Sequence, residues 1–213
     1  MIVIHTVVGS PYGRAALIAC KEKGAPHRLA PLAPGASKQP QHLARHPFGK
    51  MPAIEHDGFA LYETQAIERY IDQAFPGPAL TPADAKAAAR MNQVIGVIDC
   101  YFFQPNAGIG LVFNRVVAPK LGLPVNEAAV QAAIPGARQC MSVLAGLIGE
   151  GPYVAGEAFS LADIHAGAQL DMFCECAEGE EMLRGTPIAP WLERLRARPS
   201  FAQTTWERLA EAA

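Results

Sequence analysis

The segment Ala44–Thr64, ARHPFGKMPAIEHDGFALYET, decides the fold. Two short stretches that read as strands, at 53–55 and 60–62, flank the sequence His56-Asp57-Gly58. Asp-Gly between such stretches is a strong signal for a β-hairpin, because both residues accept the backbone angles of a tight turn. The segment therefore predicts two short antiparallel strands followed by the start of a helix.

The same segment predicts a binding site for a small acidic peptide. The Met51-Pro52 bond is a candidate for the cis form, which costs little before proline and usually marks a fixed turn. In that form the N–H and C=O of Met51 face outward and are able to pair with an extended peptide. Glu63 and Thr64 follow at the entrance to a helix, where backbone N–H groups favour an anion.

Outward from this segment, the first 75 or so residues read as β-α-β followed by β-β-α. Residues 2–8 form an apolar run that predicts a buried strand. Ser10-Pro11 has the residues preferred at the cap and first position of a helix, and Gly24 ends that helix. Residues 27–32 predict the second strand, and apolar residues at helical spacing predict a helix at 66–75.

The stretch FPGPALTPAD, at 75–84, separates two domains because its prolines and glycine are typical of a linker. We expect domain boundaries of 1–76 and 85–213, with 77–84 as the linker. Strand signals nearly vanish after it, so the second part is predicted to be an all-α bundle. Its predicted helices span 86–117, 126–149, 161–174, 189–197 and 201–212.

Local signals refine the helices of this bundle. Pro105 and Gly108 predict a bend or an interruption of the first helix, and Pro135 predicts a kink or a division of the second. Ser160 and Asp163 have the spacing of a capping box before an apolar run.

Composition excludes several classes of function. The chain has 213 residues, half of them hydrophobic, which is ample for a core. A net charge of -2 argues against a nucleic-acid partner. No apolar run approaches the roughly 20 residues that span a membrane. The five cysteines lack regular spacing, which favours a reduced, cytoplasmic protein over a disulfide framework.

Four segments together resemble the cytosolic glutathione transferases: GSPYGRAALIACKEKG, ARHPFGKMPAIE, LYETQAIERYID and YVAGEAFSLADIHA. The resemblance covers the whole chain and is strongest to the serine-type phi, theta and tau groups and their bacterial relatives. It implies a thioredoxin-like first domain with a mixed four-stranded sheet, an all-helical second domain, and a homodimer. It also implies that glutathione is the co-substrate.

The resemblance assigns the catalytic hydroxyl to Ser10, which would hold the glutathione thiolate. Tyr12 is the alternative, because a phenol also donates to a thiolate. The roles implied for glutathione binding fall on Lys38, Lys50, Met51, Pro52, Glu63 and Thr64. His46 stands where the family commonly has asparagine.

The resemblance further implies a hydrophobic electrophile, held against the long helix that follows the linker. Tyr101, Phe102 and Phe113 are the expected aromatic wall of that pocket. Phe48 matches a position where some relatives insert an aromatic side chain into the partner subunit. Cys174 and Cys176 have no histidine partners in the sequence, so we expect free thiols and no metal.

Two other functions remain open from the sequence. One is a glutathione-dependent isomerase or dehalogenase on the same fold. The other is a non-catalytic binding module that resembles a transferase.

Overall fold

The computed structural model describes residues 1–33, 35–103 and 106–211. The chain forms two compact units. The first comprises Met1–Thr81 together with Ala197–Ala213, and the second comprises Pro82–Arg196. The sequence placed all residues after 85 in the second domain, so the structure differs at the C-terminal end, where the last segment belongs to the first unit.

A four-stranded mixed sheet forms the centre of the first unit, in the order β2-β1-β3-β4. β1 and β2 are parallel, and β3 is antiparallel to both β1 and β4. The fold class predicted from the sequence is thereby confirmed. The strands are β1 (Ile2–Thr6), β2 (His27–Pro31), β3 (Ala53–His56) and β4 (Phe59–Tyr62).

The hairpin between β3 and β4 closes as the sequence predicts. His56 pairs with Phe59, which leaves Asp57 and Gly58 as a two-residue turn. Both turn residues have positive φ, +49° and +82°, as the tight hairpin turn requires.

Two longer helices pack with the sheet in the first unit. Fully buried aliphatic side chains from strands and helices form the core, among them Ile4, Ile18, Ile54, Ile67 and Ile71. The helices are α1 (Pro11–Glu22), the short α2 (Pro40–Leu43) and α3 (Thr64–Ala74), with a 3-10 turn at Ala36–Lys38 before α2.

Among the described residues of the second unit, helices are the only regular elements apart from one isolated β-bridge, between Tyr153 and Gly156. Two π-helical stretches, Ile98–Phe102 and Ala107–Val117, follow its first helix. In the described part of the chain, every helix is too short or too polar to span a lipid bilayer. The helices are α4 (Ala85–Val97), α5 (Ala118–Lys120), α6 (Glu127–Ile148), α7 (Leu161–Phe173), α8 (Ala177–Leu183) and α9 (Ile188–Arg196).

Two prolines of the second unit are predicted to affect its helices, and only one of them lies in the described residues. Pro105, one of the two predicted points of interruption, lies outside the described residues. The sequence predicts a kink or a division of the helix at Pro135; α6 is continuous across this residue, so the division is wrong. Buried residues on both sides of Pro135, such as Val130 and Leu144, anchor α6 and offset the hydrogen bond that proline removes.

The capping box at the start of α7 is confirmed. Asp163 is fully buried, and its carboxylate accepts from the backbone N–H of Ser160 at 2.8 Å. It also accepts from Trp191 Nε1 at 2.8 Å and from the N–H of Val154 at 2.9 Å. One carboxylate therefore joins α7, α9 and the loop before α7.

The C-terminal segment is attached to α1 by polar contacts. It contains α10 (Pro199–Ala202) and α11 (Trp206–Glu211), where the sequence predicted one helix. Arg198 makes two hydrogen bonds to the Glu22 carboxylate, at 2.7 and 2.9 Å, and Ser200 also donates to Glu22. Buried Arg14 donates to the carbonyl of Phe201 at 3.3 Å.

The predicted linker is fixed to the first unit at its beginning. Lys23 and Asp72 form a buried ion pair at 3.1 Å, with side chains 3% and 7% exposed. The Lys23 ammonium also donates to the carbonyl of Pro78, and Asp72 accepts from the N–H of Leu80. This pair holds the segment as far as Leu80, whose side chain is buried.

We predict that Asp72→Ala destabilises the protein by about 3–5 kcal/mol, because it leaves the Lys23 ammonium buried without its counter-ion. The matched control is Arg208→Ala, which removes an exposed ion pair with Glu211 and should cost under about 1 kcal/mol. Urea denaturation of the three proteins measures both effects, and equal losses would contradict the prediction.

Candidate functional site

The strand register brings four chain segments to one end of the sheet. His5 near the end of β1 pairs with Ala53 at the start of β3, and Ala53 also pairs with Tyr62 at the end of β4. The loops after β1 and β4 and the loop before β3 therefore meet there. The parallel strand β2 also ends on this side, and the N–H of Leu32 donates to the carbonyl of Thr6.

Ser10 lies in the loop after β1 as the N-cap of α1. Its Oγ accepts a hydrogen bond from the N–H of Gly13 at 3.1 Å. A hydroxyl has two acceptor lone pairs and one donor proton, so this cap leaves the proton of Ser10 available to an acceptor. The positive end of the α1 dipole lies at the same residue.

Two glycines fix the position of Ser10. Gly9 has φ +85°, and a Cβ there would lie 1.8 Å from Cζ3 of Trp206. A Cβ on Gly13 would lie 2.2 Å from Oγ1 of Thr6, so α1 approaches β1 as closely as a bare backbone allows. Trp206 was not a candidate from the sequence, because its proximity to Gly9 depends on the return of the C-terminal segment.

Tyr12, the alternative to Ser10, occupies the first turn of α1 and is half-buried. Ser10 is half-buried as well. Solvent exposure therefore does not distinguish Ser10 from Tyr12 as the candidate catalytic residue. Only Ser10 caps the N-terminus of α1.

Glu63 and Thr64 start α3 after β4. Glu63 is the N-cap with φ +70° and ψ 114°, an unusual backbone conformation for a residue with a Cβ. Its carbonyl accepts from the N–H groups of Ala66 and Ile67. Glu63 is exposed and Thr64 is 7% exposed, so a charged side chain stands beside the N-terminus of an eleven-residue helix.

The Met51-Pro52 peptide bond is cis. Pro52 is buried and Met51 is half-buried. The strand pairing begins at Ala53, directly after Pro52, so Met51 lies outside the hydrogen-bonded ladder.

The loop between β2 and β3 carries Lys38, Phe48 and Lys50, which are all exposed. The Lys38 ammonium donates to the carbonyl of Phe48 at 3.2 Å. His42, in α2, contacts the carbonyl of Lys50 through Nε2 at 2.7 Å. His42 was not a candidate from the sequence, because this contact depends on how the loop folds.

Of the three aromatic residues expected to line the electrophile pocket, two are exposed and one is buried. Phe102 is fully buried and packs edge-to-face on Phe173, with ring centroids 5.5 Å apart. It is therefore a core residue, and the expectation that it lines a pocket is corrected. Tyr101 and Phe113 are 64% and 39% exposed.

Cys174 and Cys176 are free thiols, as are the other three cysteines. Burial raises the pKa of Cys174 to about 11, so this thiol is protonated at neutral pH. Cys176 donates its S–H to the carbonyl of Phe173. Among the described residues, no group of three or more His, Cys, Asp or Glu side chains is arranged to hold a metal ion.

The fold and the site define a two-unit protein with a thioredoxin-like ligand-binding unit and a helical unit. Comparison with known proteins identifies its family. Residues 4–79 match the family model "Glutathione S-transferase, N-terminal domain". Glutathione S-transferase F14 of Arabidopsis thaliana is 32% identical over 89% of this chain and 77% of that protein. Glutathione S-transferase 3 of Zea mays is 32% identical over 86% of this chain and 83% of that protein.

Solved structures agree with these relatives. Glutathione transferase F7 from Populus trichocarpa superposes with a TM-score of 0.84 at 25% identity, covering 96% of this chain and 97% of that one. Glutathione S-transferase III in its apo form gives a TM-score of 0.83 at 30% identity, covering 95% and 94%. The chain belongs to the glutathione S-transferase family, a family of enzymes.

We predict that Glu63→Gly is more stable than Glu63→Ala by roughly 1 kcal/mol or more, because only glycine adopts the observed φ without cost. Both variants lack the carboxylate, so the comparison isolates the backbone. Thermal denaturation measures the difference. Equal stability of the two variants would mean that the positive φ carries no strain.

Proposed function

We propose that this protein activates the thiol of glutathione for attack on a hydrophobic electrophile, with Ser10 as the catalytic residue. The observation that carries the proposal is the geometry of Ser10 at the start of α1. Its oxygen accepts from Gly13, so its proton is available to donate to a thiolate beside the positive end of a helix.

The energetic requirement is modest. A thiol with a pKa of about 8.5 is only about 3% thiolate at neutral pH. Lowering the pKa by about two units requires about 2.7 kcal/mol of preferential stabilisation of the thiolate. A hydrogen bond to a charged group contributes about 1.5–3 kcal/mol, and a helix N-terminus adds to it.

The polar residues at the same end of the sheet are our candidates for binding the remaining groups of glutathione. We propose that Glu63 accepts from the γ-glutamyl ammonium and that Thr64, with the N-terminus of α3, binds the γ-glutamyl carboxylate. Met51, placed by Pro52 just before β3, would pair its backbone with the cysteinyl unit. Lys38 and Lys50 would meet the glycyl carboxylate.

The exposed rings of Tyr101 and Phe113 are our candidates for contact with the electrophile, because an apolar substrate gains free energy by covering such surface. We further propose that the protein acts in the cytoplasm. All five cysteines are free, which suits a reducing compartment.

We predict that Ser10→Ala lowers kcat/KM for glutathione and an aryl halide by about 10–1,000-fold, because the thiolate loses its donor. Absorbance of the bound thiolate, followed against pH, should show the pKa of the bound thiol moving toward its free value. Stopped-flow and steady-state kinetics measure the two effects.

Two variants control this experiment. Ser10→Asp keeps an acceptor for the N–H of Gly13 but repels a thiolate, so it should be as inactive as Ser10→Ala with α1 still capped. Tyr12→Phe should retain activity. Full activity in Ser10→Ala, or loss in Tyr12→Phe alone, would transfer the role to Tyr12. Glutathione binding without turnover in the unmodified protein would favour a non-catalytic module.

We also propose a homodimer in which Phe48 contacts the partner. Its side chain is 67% exposed, and burial of such a ring contributes about 2 kcal/mol or more. Phe48→Ser should therefore raise the dimer dissociation constant by about tenfold or more. Sedimentation equilibrium measures it, with the exposed Phe59 changed to Ser as the matched control; an unchanged constant in Phe48→Ser would contradict the assignment.

A further inference from the structure

Two buried histidines belong to the same loop segment, 38–50, that carries Lys38, Phe48 and Lys50. His42 and His46 are each 2% exposed, and their stacked rings have centroids 6.3 Å apart. The N–H of His46 donates to the carbonyl of His42 at 2.9 Å. The ring of His46 also lies 4.7 Å from the ring of Tyr62 and 6.4 Å from that of Phe48. The pair thus connects the loop to the end of β4.

The contact with Lys50 fixes the tautomer of His42. A carbonyl oxygen only accepts, so Nε2 of His42 carries the proton that reaches the oxygen of Lys50. Nδ1 of the neutral ring is then unprotonated. It is buried and has no hydrogen-bond partner among the described residues, so protonation there would create a buried N–H with no acceptor.

His46 has the same deficiency, because its Nδ1 is buried without a partner within the described part of the chain. Burial holds the pKa of His46 below its ordinary value, and the charges of His42 when protonated, of Lys50 and of Lys38 act in the same direction. A group whose pKa is lowered by folding favours the unfolded or open form as the pH falls. Its contribution to stability is complete above about pH 6.5 and is lost below it.

The other ionisable groups around the pair do not balance a positive charge on His42 or His46. Glu55 is the nearby acid on β3, but Arg45 donates to its Oε1 at 2.5 Å, and His5 lies 3.5 Å from its Oε2. Tyr62, at the end of β4, presents the face of an aromatic ring to His46. Burial, followed by the charge of Arg45, lowers the pKa of His5 as well.

We propose that His42 and His46 are positioning residues whose neutral rings hold the loop at 38–50 in its ligand-binding form, so that mild acidification releases glutathione. This inference rests on the proposed function, since it concerns the loop that carries two of the proposed glutathione contacts. It adds a proton-linked control of affinity that acts through Lys50 and Phe48 and involves no contact between either histidine and the ligand.

The test uses S-methylglutathione, because a blocked thiol does not itself titrate. Calorimetric binding is measured at about pH 8 and about pH 5.5, on either side of the ordinary histidine pKa. We expect the affinity of the unmodified protein to fall by about fivefold or more, since each coupled proton contributes up to tenfold per pH unit. The double variant His42→Gln, His46→Asn should change by less than about twofold, because neither amide ionises.

His27→Gln is the matched control, because His27 is half-buried on β2 and contacts the carbonyl of Ala25. It should keep the pH response of the unmodified protein. An affinity that is the same at both pH values, or one that falls equally in the double variant, would overturn the inference and leave the proposed function intact. Absence of binding even at pH 8 would overturn both.

A ligand-free measurement keeps the inference testable if the double variant does not fold. In an NMR titration of the unmodified protein, the amide signals of Lys38, Gly49 and Lys50 should move together with the ring signals of His42 and His46. Loop amides that remain fixed while the rings titrate would overturn the inference.

Discussion

Strand β3 lies between β1 and β4 and runs antiparallel to both, and the whole site depends on that arrangement. Ala53 pairs with His5 on one side and with Tyr62 on the other. This register places residues 10, 52 and 63, which are far apart in sequence, at one end of the sheet. A slip of one residue would also turn Ile54 from the core to the opposite face, so burial of Ile54 and the position of the site are enforced together.

Much of this unit could be predicted because its signals are local. Ser10 followed by Pro11 specifies a helix start through the hydrogen bonding of one side chain. Asp57-Gly58 specifies a hairpin through the backbone angles of two residues. The capping box at Ser160 and Asp163 is likewise contained within four residues. Each of these features formed where the sequence placed it.

The features that sequence reasoning missed depend on contacts between distant residues. The periodicity around Phe102 could not show that its ring faces Phe173 in the core. Pro135 reads as a helix breaker, but the buried residues of α6 on both sides outweigh one lost hydrogen bond. The approach of Trp206 to Gly9 and the contact of His42 with Lys50 arise from chain segments that the sequence alone does not bring together.

The contacts between α1 and the C-terminal segment have a consequence for the order of folding. Glu22 is bonded to Arg198 and Ser200, and Arg14 to Phe201 and Thr204. During synthesis the N-terminal residues leave the ribosome first, at roughly 5–20 residues per second. The last segment of the first unit is translated only after the whole second unit, so the first unit cannot be completed before then. Completion of the first unit is therefore a late event, which requires that the second unit has already been synthesised.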